Sequence, residues 1–106
     1  MHAHPDDVEI LAGGTVHRLA ALGHRITIVT MTAGDCGTAE YSAEEISRIR
    51  RGEAKKAAAL AGAEYICAEF KDLAIFNDDA SRRRVTELLR SVAPEIVVTA
   101  SPVDYH

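Results

Sequence analysis

The segment Arg25-Ile-Thr-Ile-Val-Thr-Met-Thr32 is β-branched or apolar at almost every position. It lacks the polar alternation of a strand with one face in water, so it reads as a strand covered on both sides. Glu64-Tyr-Ile-Cys-Ala-Glu-Phe70 and Glu95-Ile-Val-Val-Thr-Ala100 read the same way, giving three central strands. Helical patterns lie between them: Thr15 to Leu22 followed by Gly23, Ala43 to Ala61 followed by Gly62, and Ala80 to Ala93 stopped by Pro94. The middle helix opens on a capping box, with Ser42 at N-cap and Glu45 at N3. Strand and helix alternate throughout, which implies right-handed crossovers and a mostly parallel sheet with helices on both faces. Met1-His2-Ala3 is too short for the strand that should precede the first helix, so the front of the chain is expected to be clipped.

That layout is α/β and Rossmann-like, in three layers. With 106 residues, 47% of them hydrophobic, the whole chain, 1–106, is expected to form a single domain with one modest core. A net charge of -4 argues against a nucleic-acid binder, which needs clustered Lys and Arg in excess. The one basic run, Arg82-Arg83-Arg84, heads a helix and reads as a solvated face. Cys36 and Cys67 are the only cysteines, too few for a disulfide framework or a four-cysteine metal site. No apolar run reaches the length of a membrane span and the N-terminus carries no signal pattern, so a cytoplasmic setting is expected.

In an open α/β sheet, ligands bind beyond the carboxyl ends of the strands. Three chemically loaded segments should emerge there: His4-Pro5-Asp6-Asp7, the loop Ala33 to Glu40, and Asp104-Tyr105-His106. An imidazole and a carboxylate are a minimal grip for zinc, and a second carboxylate is left to handle protons. A turn followed by a helix N-cap would account for a lone Pro-Asp but not for a histidine with two carboxylates. Spacing alone leaves the pairing open: an extended backbone matches His4 with Asp6, and a turn, which Pro5 favours, matches it with Asp7. His2, His17 and His24 read as surface residues. Gly13-Gly14-Thr15 lacks the ending of a phosphate-binding loop, and no Gly-x-Ser-x-Gly elbow occurs. The glycine pair instead suggests close approach of a helix to a strand, or room for a ligand. On the long helix, Glu53 falls within the stripe Ile46, Ile49, Ala57 and Leu60, so it is expected to be buried and paired with Arg50. Cys36 has no basic neighbour in sequence to activate it as a nucleophile.

Ala3-His4-Pro5-Asp6-Asp7-Val8-Glu9, Gly13-Gly14-Thr15, Gly23-His24, Thr30-Met31-Thr32-Ala33-Gly34, Arg50-x-x-Glu53 and Ala61-Gly62 together resemble the LmbE-like, or PIG-L, de-N-acetylase family over nearly the whole chain. The resemblance implies a zinc-dependent hydrolase that removes an acetyl group from an N-acetylglucosamine-type sugar or related amide. It makes His4 and Asp7 zinc ligands, Asp6 the general base and Arg50 a substrate-binding residue. In the family the tail resembles Asp-x-His-x-Asp-His; Asp104-Tyr105-His106 matches its first half. His106 is thereby the histidine that steadies the oxyanion or returns a proton, the third zinc ligand falls three residues later, and the domain is expected to be incomplete at both ends. The implied partner is a small N-acetylated sugar conjugate, with no nucleic acid and no membrane span, and a homo-oligomer is left open. The competing reading is a non-catalytic α/β module that binds a small ligand or partner at the same edge.

Overall fold

A computed structural model describes residues 1–103 of the chain. Asp104, Tyr105 and His106 lie outside the described residues. The elements alternate as α1 (Asp7–Ala21), β1 (Thr27–Thr32), α2 (Ala43–Leu60), β2 (Glu64–Phe70) and α3 (Asp79–Val92). β1 and β2 pair in parallel from Thr27 opposite Glu64 to Thr30 opposite Cys67. A bulge then puts Thr32 opposite Phe70, and Glu69 takes up the extra residue with a left-handed φ of 61°.

Residues 1–3 occupy the position of a first strand on the other side of β1. His2 bridges Thr30 in parallel, its N–H donates to Val29 O at 2.9 Å, and Thr32 N donates to Ala3 O at 3.0 Å. Beyond that stub, Met1 N donates to Val98 O at 2.7 Å. The spatial order is therefore β2, β1, residues 1–3 and then the segment around Val98. Residues 95–100 form no strand among the described residues, contrary to expectation. Their apolar side chains do not pack as a central strand's would: Ile96 is 81% exposed and Val98 67%.

The apolarity of β1 on both faces has the expected result. Ile28 packs with Val8 and Val16 of α1 and Ala58 of α2, whereas its neighbour Val29 packs with Ala68 of β2 and Leu88 of α3. Helices thus cover both faces of a parallel sheet, the Rossmann-like arrangement. Helix boundaries follow local chemistry. Ser42 Oγ accepts from Glu45 N at 3.3 Å while Ser42 N donates to Glu45 Oε2, completing the capping box of α2. Asp78 accepts from Ser81 N at 2.8 Å at the start of α3.

Two expectations fail here. α1 starts at Asp7, not Thr15, and runs through the glycine pair; a Cβ added at Gly13 or Gly14 would meet nothing within 4 Å, so no close approach explains either. On α2 the inward face is Ser47, Ala54 and Ala58, while Leu60 is 85% exposed and the Glu53 side chain 59% exposed. The Arg50–Glu53 pair exists at 3.3 Å, but it is a surface pair and not a buried one.

Candidate functional site

The turn at His4-Pro5-Asp6-Asp7 is held from below by β1. Thr32 fastens Ala3 through its backbone and at 3.4 Å through its hydroxyl, and the same hydroxyl accepts from Gly34 N at 3.1 Å. The end of the first strand and the loop after β1 are thereby tied to one side chain. Pro5 is fully buried, and Gly34, at φ 70°, brings that loop against its ring. Asp6 has a left-handed φ of 91°, uncommon for a residue with a Cβ, and it turns the chain into α1.

The turn separates the two carboxylates. Asp7 faces inward: its Oδ2 accepts from His4 N at 2.8 Å and lies 3.8 Å from His4 Nδ1. Asp6 faces outward, with its Oδ2 receiving Arg50 Nη2 at 2.6 Å. The same Arg50 nitrogen donates to Pro5 O at 2.7 Å, so Arg50 clamps the strained peptide as well as the carboxylate. The hydrogen bond to Asp6 is the main cause that raises the Arg50 pKa above its ordinary value. Of the two pairings open in the sequence, the structure takes His4 with Asp7.

Two further residues join the site. His2, expected at the surface, has only 17% of its side chain exposed, and its Nδ1 lies 3.3 Å from Asp7 Oδ2. Asp72, from the loop after β2, had no part in the sequence reading; its Oδ1 lies 2.9 Å from His4 Nε2. The signal that could have found it is positional, since it sits just past the carboxyl end of a predicted strand. Asp35 Oδ1 in turn accepts from Asp72 N at 2.8 Å, and the Cys36 thiol lies 3.9 Å from Asp72 O. Asp35, Cys36 and Asp72 are the one trio of potential metal donors within 4.8 Å of one another among the described residues. His4 and Asp7 form a pair, an imidazole and a carboxylate, which are donor types that zinc takes. His106 lies outside the described residues. His17 and His24 are exposed, as expected.

A groove of about 330 Å³ opens beside the site between α2 and the end of β2. Asp35, Ser47, Arg51, Glu69 and Lys71 line it, and Arg51 makes a two-pronged bond to the Glu69 carboxylate. Asp35 lines the groove and also accepts from Asp72 N, whereas His2, His4, Asp7 and Arg50 do not line it. Among the described residues, no helix is long and apolar enough to cross a membrane.

The family model described as PIG-L, GlcNAc-PI de-N-acetylase, matches residues 1–106. A 1D-myo-inositol 2-acetamido-2-deoxy-alpha-D-glucopyranoside deacetylase of Corynebacterium diphtheriae is 28% identical over 96% of this chain and 44% of its own length. A diacetylchitobiose deacetylase of Thermococcus kodakarensis is 31% identical over 93% of this chain and 38% of its own. The chain therefore spans less than half the length of these relatives. Among solved structures, N,N'-diacetylchitobiose deacetylase of Pyrococcus horikoshii, in complex with its inhibitor MPG, superimposes with a TM-score of 0.82 at 32% identity, covering 89% of this chain and 36% of that one. The 4-carboxy-2-hydroxymuconate hydratase of Pseudomonas putida KT2440 superimposes with a TM-score of 0.80 at 25% identity, covering 98% and 48%.

Proposed function

The chain belongs to the PIG-L, GlcNAc-PI de-N-acetylase, family, and from that premise we propose that it carries the metal-binding turn of a zinc-dependent hydrolase that deacetylates an N-acetylglucosamine-type sugar. The observation that carries the proposal is the inward pair of His4 and Asp7 at the carboxyl edge of the sheet, set apart from an outward Asp6. Zinc, when bound, supplies Lewis acidity that polarises the acetyl carbonyl and acidifies a water. His4 and Asp7 would hold it. Asp6 is the base that takes the proton of the attacking water, on the open side of the turn where a substrate can approach. Arg50 keeps Asp6 in place and presents cationic nitrogens to sugar hydroxyls. His106 opposes the developing oxyanion and returns a proton to the leaving nitrogen, the role that the resemblance assigns it. The substrate is a small acetylated sugar conjugate, for which the groove beside Asp35 has room. A cytoplasmic setting is part of the proposal, and the unpaired thiols of Cys36 and Cys67 suit a reducing compartment.

His4 and Asp7 are two of the three donors a catalytic zinc takes, and the third is expected after His106, so this 106-residue chain should bind zinc weakly and release no appreciable amine. A chain carried on through the histidine expected after His106 should do both. Tight binding by the shorter chain would assign the third position to His2, whose Nδ1 lies 3.3 Å from Asp7 Oδ2. Metal titration and amine release from N-acetylglucosamine conjugates test this on both chains. Because the same fold serves a hydratase in Pseudomonas putida, hydration of 4-carboxy-2-hydroxymuconate belongs in the same assay. Hydration without amine release by the extended chain would overturn the proposal.

A further inference from the structure

The nitrogen of His4 that faces away from Asp7 has its own partner. Nε2 lies 2.9 Å from Asp72 Oδ1. An ionised carboxylate only accepts, so this hydrogen bond exists when Nε2 carries the proton. A neutral imidazole protonated at Nε2 has its lone pair on Nδ1, and Nδ1 is the nitrogen turned towards Asp7 Oδ2, 3.8 Å away. A divalent cation and a second proton would compete for that lone pair, and Asp7 Oδ2, which also accepts from His4 N at 2.8 Å, would favour either. Bonds of about 2 Å to nitrogen and to oxygen allow one ion to bridge that gap.

Asp72 is built to hold one orientation. It is 8% exposed, and its Oδ1 also accepts from Leu73 N at 3.0 Å, with Leu73 in the left-handed region at φ 59°. Its own N–H is taken by Asp35 Oδ1. The carboxylate is therefore fixed by the loop after β2 and not carried by the histidine.

We propose that Asp72 is a positioning residue that locks His4 as the Nε2–H tautomer and aims Nδ1, with Asp7, at a divalent cation. The inference rests on the reading of His4 and Asp7 as metal ligands and adds the residue that prepares one of them. Outer partners of this kind are typically worth about 10- to 100-fold in metal affinity.

The tautomer is read on the chain as it stands, and the zinc affinities on a chain carried on through the histidine expected after His106. Nitrogen–proton correlations of the histidine rings in the metal-free, isotope-labelled protein should show His4 protonated at Nε2, and a tautomer mixture in Asp72→Ala. Zinc titration followed on the same ring signals should give an affinity lower by about 10- to 100-fold in Asp72→Ala. Asp72→Asn, whose amide oxygen still accepts from Nε2–H, should recover most of it, a rescue that general destabilisation would not produce. If Asp72→Ala does not fold, the tautomer of the parent and the affinity of Asp72→Asn decide. An Nδ1–H tautomer in the parent would overturn the inference. So would an unchanged zinc affinity in Asp72→Ala when His4→Ala lowers it. Zinc affinity indifferent to both His4→Ala and Asp7→Ala would instead overturn the metal reading beneath it.

Discussion

The side chain of Asp7 is 22% exposed against two imidazoles, while that of Asp6 is 52% exposed on Arg50. The two carboxylates should fail differently when changed in a chain that has the complete metal site. Asp7→Ala should lose the metal. Asp6→Asn should keep it and lose turnover by about 10²- to 10⁴-fold, the usual loss for a general base. Metal analysis beside an amine-release assay checks both, and the opposite pattern would reverse the two roles. Spacing left open which carboxylate pairs with His4, and the left-handed backbone at Asp6 turns Asp7 towards it, whereas the two roles come from the resemblance. Pro5 made the turn legible. Asp72 lies 68 positions from His4 with no spacing rule to join them, so its place just past the end of a strand was the one mark it carried. Glu53 misled because a stripe counted by hydrophobicity passes through Leu60, while the side that packs is made of small residues that hydrophobicity scarcely marks.

At the level of elements, strand apolarity was the dependable signal, since Ile28 and Val29 do enter cores on opposite faces of the sheet. The start of α1 was hidden by two glycines that weaken helices, although Asp7 and Glu9 in its first turn suit the helix dipole. That weakness should be correctable. Gly14→Ala places a methyl group where nothing lies within 4 Å and should stabilise the fold by about 0.5 to 1 kcal/mol, read from the denaturant midpoint. The reverse applies where α2 meets β1 and α1. Ala58 is 0% exposed, so Ala58→Leu should cost about 1 to 3 kcal/mol by overpacking, measured the same way. Residues 95–100 have the composition of a central strand, but composition does not specify a pairing partner, and among the described residues their bond to residues 1–3 is that of Met1 N to Val98 O.

For the molecule as a whole, pH should act on stability through Tyr65, whose hydroxyl lies 2.8 Å from Thr30 Oγ1 between the paired strands. Burial raises its pKa above the ordinary 10.0. A raised folded value means that its contribution is complete below 10.0 and is lost as pH rises through that value towards the higher folded one. Unfolding followed by circular dichroism should show an alkaline decline in that window, and Tyr65→Phe should make it shallower. The site itself is a long-range construction. Arg50 reaches Asp6 across 44 positions, Asp72 reaches His4 across 68, and Val98 meets Met1 across 97. Each contact closes a long loop, and the entropy of closure is recovered only when the whole fold forms. The His-Pro-Asp-Asp run is therefore not a portable module. Grafted into another scaffold, or synthesised as a short peptide, it would bring four residues without the arginine that clamps its strained turn or the aspartate that aims its imidazole.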